Sequence, residues 1–220
     1  MRINADFSRR AVVRPEDREW VASPAAGVER MMLDRVGEEV ARATTLVRFA
    51  PGSYFDAHTH GGGEEYLVLD GVFSDETGDF PAGYYVRNPI GSSHTPHTEP
   101  GCTIFVKLCQ FEESDTAQFA VDTTCAHFEE SDVAGVSVLP LHEAGAERVV
   151  LERWAPGTAR GAHSHPGGEE VLVLEGHLSD EEGDYPQGTW LRNPAGSRHA
   201  PQSDEGCLLY VKTGHLKPAT

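Results

Sequence analysis

Nowhere in the chain do eighteen apolar residues run together, and the opening MRINADFSRRAVVRPEDREW holds no apolar stretch of signal-peptide length. The expectation is a cytoplasmic protein that makes no membrane contact. Cysteine is scarce: Cys102, Cys109, Cys125 and Cys207 contain no C-x-x-C pair, and the reducing compartment expected here argues against disulfides, so the four read as reduced thiols. Basic residues are outnumbered, 18 Lys+Arg against 35 Asp+Glu, and a net charge of −17 repels phosphate backbones. Direct nucleic-acid binding is therefore not expected. Long helical periodicity is also missing; its nearest approach is Pro15 to Ala22, enough for one or two turns.

What is present is a series of short β-branched and aromatic runs. ATTLVRF, EEYLVLDGVF, YYVRNP and CTIFVKL are separated by Gly, Pro, Asp and Ser clusters, the punctuation of antiparallel strands. Val171 to Leu174 is continuously apolar, as a strand covered on both faces would be. An all-β sandwich or barrel follows.

The chain repeats itself. Phe49 to Leu108 aligns with Trp154 to Thr213 without a gap at an offset of 105 residues, and about half of the positions are identical. Upstream, Gly27-Val28 matches Gly135-Val136 at 108, so the second copy is three residues shorter in a loop. The acidic stretch between the copies places the boundary near Asp115 to Asp122, giving domains at 1–116 and 117–220. At 220 residues in total, each domain has the size of an independent core.

Within each copy one constellation stands out. His58-x-His60 is followed three residues later by Glu64, and His94 comes in a separate segment after Pro89-x-Gly91; the second copy supplies His163, His165, Glu169 and His199 at the same spacings. Histidines at i and i+2 on a strand point to one face, so the pair can converge on a single ion. Gly61, Gly62 and Gly63 permit the reversal that brings in Glu64. Imidazole and carboxylate donors suit zinc, iron, manganese or nickel. One divalent metal per domain is expected, with metal ligands His58, His60, Glu64, His94, His163, His165, Glu169 and His199.

These two segments resemble the two motifs of the cupin superfamily in both halves of the chain. The finer pattern H-x-H-x-G-G-E-E-x-L-V-L-x-G-x-x-S-D-E resembles the cupin-like domain of ChrR-type anti-sigma factors, which act in the response to singlet oxygen and oxidative stress. The resemblance implies two tandem jelly-roll β-barrels, a bicupin, with zinc as the first expected metal. Thr98 and Ser203 stand where the second cupin motif ordinarily ends in Asn, which concerns turn structure and not ligation. No segment matches the family's anti-sigma zinc domain with its His-x₃-Cys-x₂-Cys pattern, so the expectation is a ChrR-like module without sigma-factor sequestration.

Several residues have two readings. Glu65 and Glu170 are either second acids that orient a ligating histidine or structural carboxylates on the opposite strand face. His97, three residues past His94, is a candidate wall of the first pocket, whereas His127, His142, His177 and His215 are not duplicated and read as surface. Arg87 and Arg192 either bind an anion at the barrel mouth or pair with Asp75 or Asp79, and Asp180 or Asp184. Cys102 and Cys207 recur at equivalent strand positions and read as packing rather than as sensors.

Two functions follow. One is a regulatory or stress-sensing metal module that signals to a protein partner. The other is an enzyme, a cupin dioxygenase or isomerase acting on a small-molecule ligand; no catalytic residue is assigned. A homodimer is compatible with either.

Overall fold

The structure, a computed structural model, describes residues 1–38 and 40–216, and the all-β class expected from the sequence is the one observed. Among the described residues the single helical element is one 3₁₀ turn, Pro15–Asp17. Of the one or two helical turns expected over Pro15 to Ala22, this single 3₁₀ turn forms and goes no further; Val21–Ala22 is already strand, because so short a segment gains too few hydrogen bonds to offset nucleation. No helix among the described residues is long and apolar enough to cross a membrane.

Two compact units divide the chain. The first comprises 1–5 and 19–125, the second 6–18 and 126–220. The first unit's main sheet runs in the order Arg2–Ile3, Val28–Gly37, Ala41–Phe49, Cys102–Leu108, Glu64–Asp75, Tyr84–Asn88, Phe119–Asp122, each neighbouring pair antiparallel. The second unit repeats it: Glu129–Glu130, Val136–Ala144, Glu147–Trp154, Cys207–Thr213, Glu169–Asp180, Trp190–Asn193, Ala11–Val13.

The last strand in each order reveals a reciprocal exchange. By the 108-residue offset, Ala11–Val13 is the equivalent of Phe119–Val121, yet Ala11 pairs with Arg192 in the second unit and Phe119 with Arg87 in the first. Each repeat thus contributes this strand to the sheet of the other. Set beside an expected division at 116/117, residues 6–18 group with the second unit and 117–125 with the first.

Each unit has its own core. Phe49, Tyr66, Phe73, Ile104 and Val106 pack together in the first, and Trp154, Val171, Leu178, Leu191 and Leu209 in the second. Of the apolar run Val171 to Leu174, the first three residues are buried, as in a strand covered on both faces, and Leu174, at a bulge in the pairing, is half-buried. Thr98 and Ser203, in the place of the motif's Asn, are also buried, and their hydroxyls tie the turn to the carbonyls of Val72 at 2.6 Å and His177 at 2.5 Å.

Candidate metal centres

In the first unit a short antiparallel pair aligns His58 directly opposite His94. The glycine run then reverses the chain: Gly63 has φ +75°, and a Cβ there would sit 2.4 Å from the Phe111 ring, so both conformation and space require glycine. Glu64 follows as the first residue of the strand Glu64–Asp75. One ligand atom from each of His58, His60, Glu64 and His94 lies within 4.8 Å of the others. The second unit brings His163, His165, Glu169 and His199 together to the same tolerance, with His163 opposite His199.

Hydrogen bonds orient each donor. The Asn88 amide donates to Glu64 at 3.1 Å and the Asn193 amide to Glu169 at 2.9 Å. His58 Nδ1 lies 2.8 Å from the Asp56 carbonyl, and His163 Nδ1 lies 3.0 Å from that of Gly161. His94 Nδ1 and His199 Nδ1 face Asp75 at 3.2 Å and Asp180 at 3.3 Å. A carboxylate accepts only, so Nδ1 carries the proton and the lone pair of Nε2 points into the cluster. These aspartates complete the site, and the sequence reading missed them as such. Their signal was the S-D-E at the end of the shared motif, read there only as a partner for arginine.

The donor set fits a cation. Nε2 of His60, of His94 and of His163 is buried with no hydrogen-bond partner, although a buried ring nitrogen is costly to leave unsatisfied. In the second unit Nε2 of His165 and Nε2 of His199 stand 3.0 Å apart, with Glu169 at 3.5 and 3.4 Å. Burial, joined by repulsion from His199 and His163, pushes the His165 ring down to about 3. Burial likewise lowers His60 and His163, so these rings are neutral donors at neutral pH. Burial also works against a charged His94 ring, but the Asp75 hydrogen bond and the Glu64 charge carry its pKa above the ordinary value. Burial raises Glu169, against the opposing pull of His199 and of the Asn193 hydrogen bond.

The surroundings of the two centres differ. His58, His60 and Glu64 lie in the wall of a cavity of about 830 Å³, whose other walls include Val47, Phe49, Phe55 and Phe73. At the second centre the corresponding space is about 10 Å³.

Other expectations resolve differently. Glu65 and Glu170 face away from the ligand carboxylates: Glu65 accepts from Tyr85 and Arg87 at 2.5 Å each, and Glu170 accepts from Trp190 at 2.7 Å and faces His215 at 3.2 Å. His215 is accordingly a buried side chain and not a surface one. His97 does not wall the first pocket; it is exposed, and its backbone bridges Ser74 and Tyr54. Arg87 pairs instead within its own unit's interior. It is fully buried, paired with Glu65 and Asp115 and stacked on Phe111 at 4.0 Å. Arg192, equally buried, stacks on Phe7 at 4.2 Å and donates to the Asp6 carbonyl. Cys102 and Cys207 are buried, and burial pushes their thiols up to about 11, against a sensor role.

The family model of the ChrR cupin-like domain matches residues 8–112 and again 116–217. No curated protein matches the chain. A solved structure of a candidate dioxygenase from Nostoc punctiforme PCC 73102 superposes with a TM-score of 0.80 at 14% identity, covering 97% of this chain and 85% of that one. Oxalate decarboxylase of Bacillus subtilis, whose structure is described with Mn(II) centres, gives 0.66 at 15%, over 95% and 78%. A candidate glyoxylate-induced protein of Pseudomonas aeruginosa gives 0.77 at 14%, over 96% and 91%. At such identities the likeness is one of fold, the tandem jelly roll.

Proposed function

The chain belongs to the ChrR cupin-like domain family, and from that premise we propose that it is a metal-dependent bicupin acting on a small organic molecule in its first unit, with dioxygenase-type chemistry. The observation that carries this reading is the cavity of about 830 Å³ into which His58, His60 and Glu64 look. Its size is that of a small-molecule site, and its walls are largely apolar with a few polar groups, the usual composition of one. A divalent ion held by His58, His60, Glu64 and His94 would supply Lewis acidity and, as iron, access to oxygen chemistry.

The chain's own residues do the rest. Asp75 fixes the tautomer of His94, and Asn88 holds the Glu64 carboxylate in place. Phe49, Phe55 and Phe73 keep water from the reacting face. Arg30 and Arg35, also in the walls, offer positive charge to an anionic group in a protein of net charge −17. The four free cysteines fit the reducing cytoplasm as its compartment.

A second reading is favoured by the family match itself: a zinc-bound regulatory or stress-sensing module that signals to a protein partner. Oxygen uptake by the Fe²⁺ form, measured across diketones, phenols and small hydroxy acids, separates the two. The enzyme reading expects uptake with at least one compound class and none in the His94→Ala, His199→Ala double variant. No uptake above that blank, together with full zinc retention, would support the regulatory reading.

A further inference from the structure

We infer that the two metal centres divide their labour: the first admits a small organic anion, whereas the second is sealed by a plug of the chain's own side chains, Glu152, Trp154 and Arg160. This deepens the reading of the first site as a small-molecule site and rests on it for the ligand's presence, but the plug is a property of the second unit alone.

At the 105-residue offset the plug residues stand where the first unit has Val47, Phe49 and Phe55. Those three line the first cavity of about 830 Å³. Glu152, Trp154 and Arg160 instead line the residual space of about 10 Å³ beside Glu169 and His199, room for about one water molecule. The metal ligands are unchanged between the copies, so the difference lies in access and not in the donor set.

The plug is chemically satisfied, which marks it as a resting structure. The Trp154 indole N–H donates to Glu152 Oε2 at 2.9 Å, and Arg160 reaches Glu152 Oε1 at 3.4 Å. Glu152 and Trp154 are buried, at 7% and 3% exposure. A buried carboxylate persists when its oxygens are paired and hydrogen-bonded, and both oxygens of Glu152 are. An organic ligand entering the second site would have to break both contacts and expose that charge to an apolar guest.

The chain should therefore hold two metal ions and one organic ligand. The first cavity fits a ligand with an apolar body, matched by its phenyl rings, and an anionic group. Two guanidinium cations stand in its walls beside the carboxylates of Asp56 and Glu64: Arg30, which also donates to Ser23, and Arg35, which also donates to the Glu38 carbonyl. The second centre, with four protein donors and no room beside them, fits a closed structural metal.

The test uses 1-anilinonaphthalene-8-sulfonate, a fluorescent probe of that chemical class, titrated into the zinc-loaded full chain. One probe per chain is expected. Transplanting the plug into the first unit (Val47→Glu, Phe49→Trp, Phe55→Arg) should weaken binding at least tenfold, and removing it from the second (Glu152→Val, Trp154→Phe, Arg160→Phe) should raise the stoichiometry to two. Two probes per chain in the unaltered protein would overturn the inference, and so would transplants that keep two zinc ions and a cooperative melt yet leave the affinity unchanged in the first-unit variant or the stoichiometry at one in the second-unit variant. Should a transplant fail to fold, the unaltered protein still decides. Zinc extraction by dipicolinate should be biphasic, with probe slowing only the fast phase, and a single phase overturns the plug. Absence of oxygen uptake would remove the proposed reaction while leaving these stoichiometries untouched.

Discussion

Asp75 Oδ2 lies 3.2 Å from Nδ1 of His94, and the same contact recurs between Asp180 and His199 at 3.3 Å. Carboxylates that accept from a ligating imidazole set its tautomer and basicity, and their loss typically costs ten- to a hundredfold in metal affinity. Asp75→Asn is expected to weaken zinc binding about 10- to 100-fold at the first centre and to leave the second unchanged, as read by competition with a chromophoric chelator. Asp180 also accepts from Arg10 at 2.7 Å and from Tyr185 at 2.6 Å, so Asp180→Asn should lower the melting temperature as well.

Arg87 makes a separate prediction about stability. It is fully buried between Glu65 and Asp115, and its removal takes the guanidinium charge from two carboxylates held away from bulk water. Arg87→Met is expected to destabilise the first unit by about 3–5 kcal/mol in denaturant unfolding, without reducing the number of metal ions bound by the native protein. A loss below about 1 kcal/mol would mean that the cluster is solvated in solution.

The strand exchange predicts an effect far away in sequence. Val12 pairs with Leu191 and packs on the core of the second unit. Burying a charge there is costly, so Val12→Asp should speed amide exchange in Trp190–Asn193 while leaving Tyr84–Asn88 protected. Faster exchange confined to residues 19–125 would contradict the exchange of strands.

Acid should act first on the metal-free second unit. His165 is held neutral down to about 3 and His163 is lowered in the same direction, whereas an unfolded chain takes up protons below about 6.5. The folded state then binds fewer protons than the unfolded one, so its stability is fully present above about pH 6.5 and is lost as pH falls toward about 3. Calorimetry of the metal-free protein between about pH 7 and 4 should show a falling melting temperature, with the fall reduced in His165→Gln. Protons also compete with metal for these rings, so metal retention should decline in the same direction.

The ligand set was legible because geometry and duplication agree. His58 and His60 stand two apart, glycines follow, and every member recurs at one offset. Strand positions were legible from β-branched runs. Arg87 was not, because Glu65 reaches it across a sheet and Asp115 from the linker, a pairing no local pattern encodes. The exchanged strands escaped for a related reason: Ala11–Val13 and Phe119–Asp122 fit either edge by composition, and tertiary contacts choose between them. The plug lay in the alignment as three mismatches within a conserved register, Val47 with Glu152, Phe49 with Trp154 and Phe55 with Arg160. Their meaning required the cavity volumes.

Metal stoichiometry bears most directly on the central claim that each repeat builds its own His₃Glu centre. Elemental analysis of protein saturated in turn with zinc, iron, manganese and nickel should give two ions per chain, and one in either His94→Ala or His199→Ala. A saturated wild-type chain that never exceeds one ion, or a single variant that loses both, would contradict it.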